Sequence, residues 1–427
     1  MNEQIKQRIN QLNNGEVPNG YEKTDFGIFP CDWVTDKKLK DLGSFGKGKG
    51  LPGDKMTTKG VPCVGYGDIY MKYNHFHFEE AQTFVDEETA SESQPIHKGT
   101  LLFTGTGETA DEIGKCVCYN GAETIYAGGD IITFVADKVN PLFLAYQQYQ
   151  EFSLRKKASF GQGHSVVHIQ RENLEKLNVA YPKSTEEQSK IAEILMKWDE
   201  AIELQEQYIN NISLRNSILV DNLLSRQQGW RPLPLSTFIE IKSGYAFKSE
   251  TYTLDGEYKI ITIKNVKKGE FDLSDYSTID ELPDNIQSHH FLNMGDIIIS
   301  LTGNVGRACM VEADNCLLNQ RVGKLAINGI NPLFIYEILQ TNRFISKMQN
   351  IAQGCAQANL SNTDIEEFIA YFPFNKNGLD TKKIDELSEF LSKAHAELEM
   401  QKTLLSNMML QRKALQQYLL NGIVRVK

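Results

Sequence analysis

Asn-Pro-Leu-Phe at positions 140–143 returns at 331–334, and the offset of 191 that relates the two copies holds well beyond those four residues. At the same offset Gln162-Gly163 falls on Gln353-Gly354, Leu174-Glu175 on Ile365-Glu366, and Tyr181-Pro182 on Phe372-Pro373. With small gaps the match runs upstream: Gly99-Thr-Leu-Leu-Phe-Thr-Gly-Thr-Gly107 lies on Gly295-Asp-Ile-Ile-Ile-Ser-Leu-Thr-Gly303, and Trp33, Leu39 and Leu42 lie on Trp230, Leu235 and Phe238. The chain is therefore two copies of a unit of roughly 190 residues. Duplication limits the architecture severely, because whatever one copy folds into the other must fold into as well. A length of 427 residues independently exceeds what one hydrophobic core supports.

Within each copy the first part carries short apolar runs punctuated by Gly, Asn and Asp. Val61–Val64, Leu101–Thr104 and Ile131–Val135 in one copy, and Ile260–Ile263 and Ile297–Ile299 in the other, read as strands. Asn140 and Asn331 read as helix N-caps, with Pro141 and Pro332 at the first helical position, where a missing N–H costs nothing. The motif is one letter away from the Asn-Pro-Pro-Tyr/Phe of adenine methyltransferases. Both copies lack the second proline, however, and no Gly-rich strand-to-helix turn suits a methyl donor, so the cap is the reading.

The second part of each copy lacks Gly and Pro and alternates spacings of four and three. Ile191, Leu195, Trp198, Ile202, Gln205, Ile209, Ile212, Asn216, Leu219 and Leu223 form one seam. At an offset of 196, Leu387, Leu391, Ala394, Leu398, Gln401, Leu405, Met408, Arg412, Leu415 and Leu419 form another. Such a seam is the signature of a coiled coil, and the chain supplies the matching partner in its own second copy. The shortest closure makes the two helices antiparallel. The expected class is thus α+β: two mixed α/β domains joined by two long antiparallel coiled-coil helices with an internal pseudo-twofold repeat. The expected boundaries are an N-terminal helical extension over 1–22, domains over 23–183 and 227–376, and spacer helices over 184–226 and 377–424.

No run of about 18 apolar residues could span a bilayer and no apolar segment follows Met1, so the chain reads as cytoplasmic. The seven cysteines form no C-x-x-C pair, which argues against a zinc site or a disulfide framework. A formal net charge of -10 means that any face meeting nucleic acid must be locally basic. Two similar domains on a rigid spacer nevertheless suit a two-part target along a double helix, with unlike half-sites because the copies differ. A helix of about 33 residues rises about 50 Å, which matches about 14 base pairs.

The chain resembles the specificity subunits of type I restriction-modification systems. The resemblance rests on the two halves opening near Asp32-Trp33 and Gly229-Trp230, the G-x-G-H-S loop at Gly161–Ser165, the Pro182-x(4)-Glu187-Gln188-x(2)-Ile191-Ala192 run into the first long helix, and that helix's echo near the C-terminus. The second copy departs from this: after Pro373 the run is five residues longer and lacks Glu-Gln. The resemblance implies two target-recognition domains and no catalysis or cofactor of the chain's own. It also implies double-stranded DNA with a bipartite site as ligand, and as partners two modification (methyltransferase) subunits and the restriction (translocase/endonuclease) subunits, which use S-adenosylmethionine, ATP and magnesium. No phosphate-binding Walker pattern and no persuasive nuclease set contradict this. The alternative is a coiled-coil adaptor without DNA specificity.

Phosphate contacts need Lys or Arg, and base readout needs Arg, Gln or Asn with aromatic support. In the first half the candidates are Lys47, Lys49, Tyr66, Lys72, Tyr73, Arg155, Lys156, Lys157, Gln162, His164 and Ser165. In the second they are Lys242, Tyr245, Lys248, Lys264, Lys267, Lys268, Arg307, Gln320, Arg321, Gln353, Gln357 and Asn359. The short N-terminal stretch with Ile5, Ile9 and Leu12 either meets a partner or packs back on the helices.

Overall fold

The computed structural model describes residues 3–426 apart from 74–75, 164–165 and 354–358, so His164, Ser165 and Gln357 lie outside the described residues. The chain divides into two compact units, Met1–Leu204 with Leu405–Lys427, and Gln205–Leu404. Among the described residues no helix is long and apolar enough to cross a membrane.

The duplication extends to strand order. The main sheet of the first unit runs Gly43–Lys47, Ile131–Ala136, Thr100–Thr104, Cys116–Tyr119, His77–Phe78. That of the second runs Ile239–Ser243, Val322–Ile327, Ile297–Ser300, Ala308–Met310, the same order without the last edge strand. The smaller sheets also correspond: Thr83–Val85, Val61–Val64, Ile125–Ala127, Gln94–Ile96 in one, and Ser277–Ile279, Tyr258–Ile261, Cys316–Leu318, Phe291–Leu292 in the other. Each unit is clasped by an early and a late strand paired antiparallel, Trp33 opposite Pro182 and Trp230 opposite Pro373.

The repeated Asn-Pro-Leu-Phe serves this clasp. Asn140 Oδ1 accepts the Phe143 N–H and its amide donates to Ser189 at the start of the first long helix. Asn331 Oδ1 accepts the Leu333 N–H and its amide donates to Asp385, which stands in the place of Ser189. One side chain thereby caps a short helix and fastens it to the long one. The starts of the long helices correspond too: Ser184 Oγ accepts the Glu187 N–H at 3.3 Å, and Asp380, its counterpart in the second copy, accepts the Lys383 N–H at 3.1 Å.

The long helices span Thr185–Leu223, 39 residues, and Thr381–Leu420, 40 residues. Each begins six residues before its first seam residue, Ile191 or Leu387; the first opens with Glu186 and Glu187, which suit the positive end of the helix dipole. No seam position is exposed on either helix. Contacts run antiparallel: Glu187 with Arg425 and Asp199 with Arg412 in the first unit, and Gln205 with Gln401 and Asn216 with the Ala394 carbonyl in the second. Toward the end of the first helix the most buried residues are Val220 and Leu224 rather than Leu219 and Leu223. A straight helix drifts about 20° per heptad against a strict seven-residue repeat, which moves the seam by one position.

Both helices enter both cores. Ile191, Ala192 and Leu195 join Leu419 and Leu420 among the aromatic residues of the first unit. Val220, Leu224, Ile384, Leu387 and Leu391 do the same in the second. The N-terminal helix Glu3–Asn13 buries no residue fully. It is held in the first unit, where Arg8 donates to the Ile423 carbonyl and lies over the Tyr21 ring.

Two expected surface residues belong to the interior. Tyr73 is stacked on Phe78 with ring centroids 4.0 Å apart. Lys157 is enclosed, its ammonium donating to the Gly114 carbonyl at 2.9 Å, and burial pushes its pKa down to about 8. Its Cδ stands 3.1 Å from where a Cβ on Gly114 would be, and its repeat counterpart Met348 presses on Gly306 in the same way. The second copy thus fills this site with an apolar chain of similar length. Because burial disfavours the charged lysine, the folded state binds fewer protons than the unfolded one between about pH 8 and the ordinary lysine value near 10.4.

A second difference between the copies concerns the helix contact. In the first unit the Tyr146 hydroxyl donates to Asp199 at 2.6 Å, and Asp199 pairs with Arg412. In the second unit the corresponding positions hold the buried Glu337 and His395, 3.1 Å apart. The hydrogen bond to Glu337 holds the His395 pKa above its ordinary value, against the opposing effect of burial. This contribution to stability is fully present below the unfolded histidine pKa and lost as pH rises through the raised folded value.

Two outcomes follow. Lys157→Met should leave thermal stability equal to or above wild type at pH 7, with its advantage shrinking as pH rises toward 10, measured by melting curves; a large loss at pH 7 would refute the packing argument. His395→Gln should lower the melting temperature most below about pH 6 and progressively less above it, whereas a pH-independent deficit would show that the Glu337 contact carries no charge.

Candidate nucleic-acid interface

The chain segments that carry the exposed candidates meet where strands of the two sheets end. In the first unit Gly48 donates to the Ile131 carbonyl (2.8 Å), Lys49 to Ala127 (3.0 Å) and Gly128 to Val64 (3.0 Å). Gly105 donates to Asp130 (2.8 Å) and Ile169 to Gly105 (3.0 Å). A Cβ on Gly48 would stand 1.8 Å from the Gly128 carbonyl oxygen, so only glycine lets the two segments approach.

The second unit rebuilds four of these five bonds. Tyr245 donates to Leu318 (2.8 Å), Asn319 to Ile261 (3.1 Å), Leu301 to Arg321 (3.0 Å) and Leu360 to Leu301 (2.8 Å). Gly244 replaces Gly48, its Cβ position lying 2.2 Å from the Asn319 carbonyl oxygen. The backbone is shared but the side chains are not. Lys49, Gly128, Gly129 and Asp130 in one unit stand where Tyr245, Asn319, Gln320 and Arg321 stand in the other.

The glycine loop adjoins the first cradle. Gln162 pairs through its backbone with His168, and Val167–His168 lies along Thr106–Gly107. Asn359, the counterpart of His168, bridges Thr302 in the same way. The Tyr70 hydroxyl steadies the first hairpin from beneath, hydrogen-bonding Thr104 at 2.7 Å and the Thr106 carbonyl at 3.1 Å.

Lys47, Lys49, Tyr66 and Gln162 are exposed around the first cradle, Tyr66 opening the short helix that follows Gly65. Neither lysine has a side-chain partner among the described residues. Around the second, Gln320, Arg321 and Asn359 are exposed and Arg307 half-buried, and no acceptor engages the guanidinium of Arg307 or Arg321 among the described residues. Tyr245 donates to Asn285 at 2.7 Å and packs edge-on against Phe247.

Most other candidate cations are already matched by carboxylates. Lys72 meets Asp68 at 2.8 Å, Lys264 meets Asp275 at 2.9 Å, and Arg155 pairs with Glu151. Lys242 pairs with Glu240 and Lys248 lies 3.9 Å from Glu250. Lys267 meets Asp272 at 2.7 Å, which holds that carboxyl down to about 2. Lys268 approaches Asn342 at 3.5 Å and Lys156 covers the Phe160 ring. Gln353 is exposed at the end of the helix Asn342–Gln353. A neighbouring carboxylate cancels the field that a phosphate would feel. Sequence reading, which ranks residues by positive charge, cannot make this distinction; it also misses Gly48, Gly244, Asn319 and Asp130, although the 191-residue offset aligns the last two with Gly128 and Arg321.

The chain was compared with known proteins. In structure it is similar to the S subunit of a type I restriction-modification system from M. genitalium, with a TM-score of 0.55 and 15% identity over 95% of this chain and 97% of that one. It is also similar to a chain from a study of complex assembly and conformational transition in the type I R-M system, with a TM-score of 0.57 and 12% identity over 96% and 100%. In sequence it is 24% identical over 275 residues to the MjaIX type I restriction enzyme specificity subunit of Methanocaldococcus jannaschii, covering 58% of this chain and 61% of that protein's length. The type I restriction modification DNA specificity domain matches twice, at residues 30–214 and 227–402, and by these two domains the chain belongs to the family of type I restriction-modification specificity subunits.

Proposed function

We propose that this chain is the non-catalytic DNA-reading subunit of a type I restriction-modification complex, recognising an asymmetric two-part site in double-stranded DNA. The observation that carries the reading is the cradle: two copies of one hydrogen-bonded backbone present different exposed side chains. A fixed scaffold with variable side chains suits recognition of two unlike half-sites, one by each unit. Lys47, Lys49, Tyr66 and Gln162 act for the first half, and Tyr245, Arg307, Gln320, Arg321 and Asn359 for the second. The paired cations, such as Lys264 and Lys267, contribute less.

The long helices set the spacing between half-sites and serve as the platform for two modification subunits. Exposed apolar side chains support that stoichiometry, because they recur at the repeat spacing. Leu204 and Met400 are 58% and 62% exposed, Tyr208 and Leu404 47% and 46%, Leu214 and Leu410 62% and 63%. A solvated helix has no reason to duplicate exposed apolar residues, whereas two copies of one partner do. S-adenosylmethionine, ATP and magnesium are then used by the modification and restriction subunits, and none is bound by this chain.

Co-expression with the modification subunit of its system, followed by single-molecule mapping of N6-methyladenine, tests the reading against a control lacking this chain. The expected result is a split motif of two unlike half-sites that disappears with this chain. Methylation that persists unchanged without it would reject DNA specificity and favour a coiled-coil adaptor.

A further inference from the structure

The strongest difference between the two cradles is one of sign. The Asp130 carbonyl accepts from Gly105 and the Arg321 carbonyl accepts from Leu301, so the two residues occupy the same backbone position. Both are exposed, and neither has a side-chain ion pair or hydrogen bond among the described residues. Each immediately precedes the second strand of its main sheet, Ile131–Ala136 or Val322–Ile327. The backbone beneath both is fixed on either side, by Gly128 on Val64 and Asn319 on Ile261. One position therefore presents a carboxylate in one unit and a guanidinium in the other on rigid supports.

The reversal separates base contacts from phosphate contacts. Phosphates are the same in every half-site, so a residue holding one has no reason to change from cation to anion between copies. A residue reading a base edge does, because guanine offers the O6 and N7 acceptors and cytosine the N4 amino donor. An arginine meets the first with two hydrogen bonds and an aspartate accepts from the second. In the first unit the exposed Lys47 and Lys49 flank Asp130 without pairing with it, and supply the positive field that a carboxylate needs to approach DNA.

Resting on the proposed DNA-reading function, we infer that this repeat-equivalent position determines specificity in each unit, Arg321 reading a guanine in one half-site and Asp130 a cytosine in the other. Neither residue acts through the helices or the partner platform, so each affects only its own half-site.

The test uses the full chain co-expressed with its modification subunit, with N6-methyladenine mapped for wild type, Arg321→Ala, Arg321→Lys, Asp130→Ala and Asp130→Asn. Each Arg321 variant should lose preference for one guanine in one half-site, by about ten- to hundredfold, with the other half-site unchanged. The Asp130 variants should relax a cytosine in the opposite half-site. Arg321→Lys is decisive because it keeps the charge and loses the two-pronged geometry: a wild-type motif with lysine would mean a phosphate contact and overturn the inference. A motif unaltered in all four variants, or methylation falling equally at all sites, would overturn it too. Lys and Asn are close in size at exposed positions, so the result does not depend on the alanine variants assembling. A wild-type complex with no split motif dependent on this chain would instead reject the DNA-reading function itself.

Discussion

Everything in this chain depends on how the two long helices are used twice, once along their shared seam and once at their ends. Ile191 and Leu195 at the start of the first helix lie in the first unit's core with Leu419 and Leu420 from the end of the second. Val220 and Leu224 meet Ile384, Leu387 and Leu391 in the second unit's core. Each core is therefore incomplete without helix contributed from both copies of the repeat. Truncating either helix removes several fully buried aliphatic side chains from a globular core, at about 2–5 kcal/mol each by analogy with large-to-small substitutions, rather than merely shortening a spacer.

Seam register is set by polar residues. Antiparallel aliphatic helices can slide by a heptad and bury nearly as much surface, so hydrophobicity alone specifies position weakly. The repeat-equivalent Gln205 and Gln401 bond to one another at 2.8 Å, and Asn216 donates to the Ala394 carbonyl at 2.9 Å. Asp199 and Arg412, both buried, pair at 2.8 Å in the first unit and draw in Tyr146 and Gln416. Slipping the register would strand these groups without partners, and a broken buried ion pair costs about 3–5 kcal/mol. Because Glu337 and His395 replace Tyr146 and Asp199 in the second unit, the two ends of the seam are fastened by different chemistry, which discourages the helices from pairing with the wrong copy.

The parts of this design that were legible in sequence are those with a period. The offset exposed the duplication, the four-and-three alternation exposed the helices, and Asn-Pro exposed the caps. The caps' second task, fastening the short helix to Ser189 or Asp385, left no pattern because it depends on residues about 50 positions away. The site was legible only in part for a similar reason. Lys47, Lys49, Gln320 and Arg321 are exposed as expected, but Tyr73 and Lys157 have the same composition-level appearance and lie inside. Whether a lysine faces solvent, a carboxylate or a carbonyl is decided by tertiary contacts such as Glu270 and Asp272 around Lys267. Asp130 was invisible to a search for positive charge.

The cradle shows how a duplicated fold can diverge in its exposed side chains without losing stability. Its geometry comes from backbone hydrogen bonds and from two glycines, Gly48 and Gly244, whose missing Cβ atoms permit close approach to the carbonyls of Gly128 and Asn319. None of those bonds involves the side chains of positions 49, 130, 320 or 321, which are exposed, so substitution there disturbs no packed core and changes folding free energy by about 0.5 kcal/mol or less, as is usual for exposed sites. The same substitution can alter base preference by more than that. On the proposed function, stability and recognition are thus carried by different atoms of the same residues, backbone for one and side chain for the other. That division allows one position to hold aspartate in one copy and arginine in the next while the chain keeps a single fold.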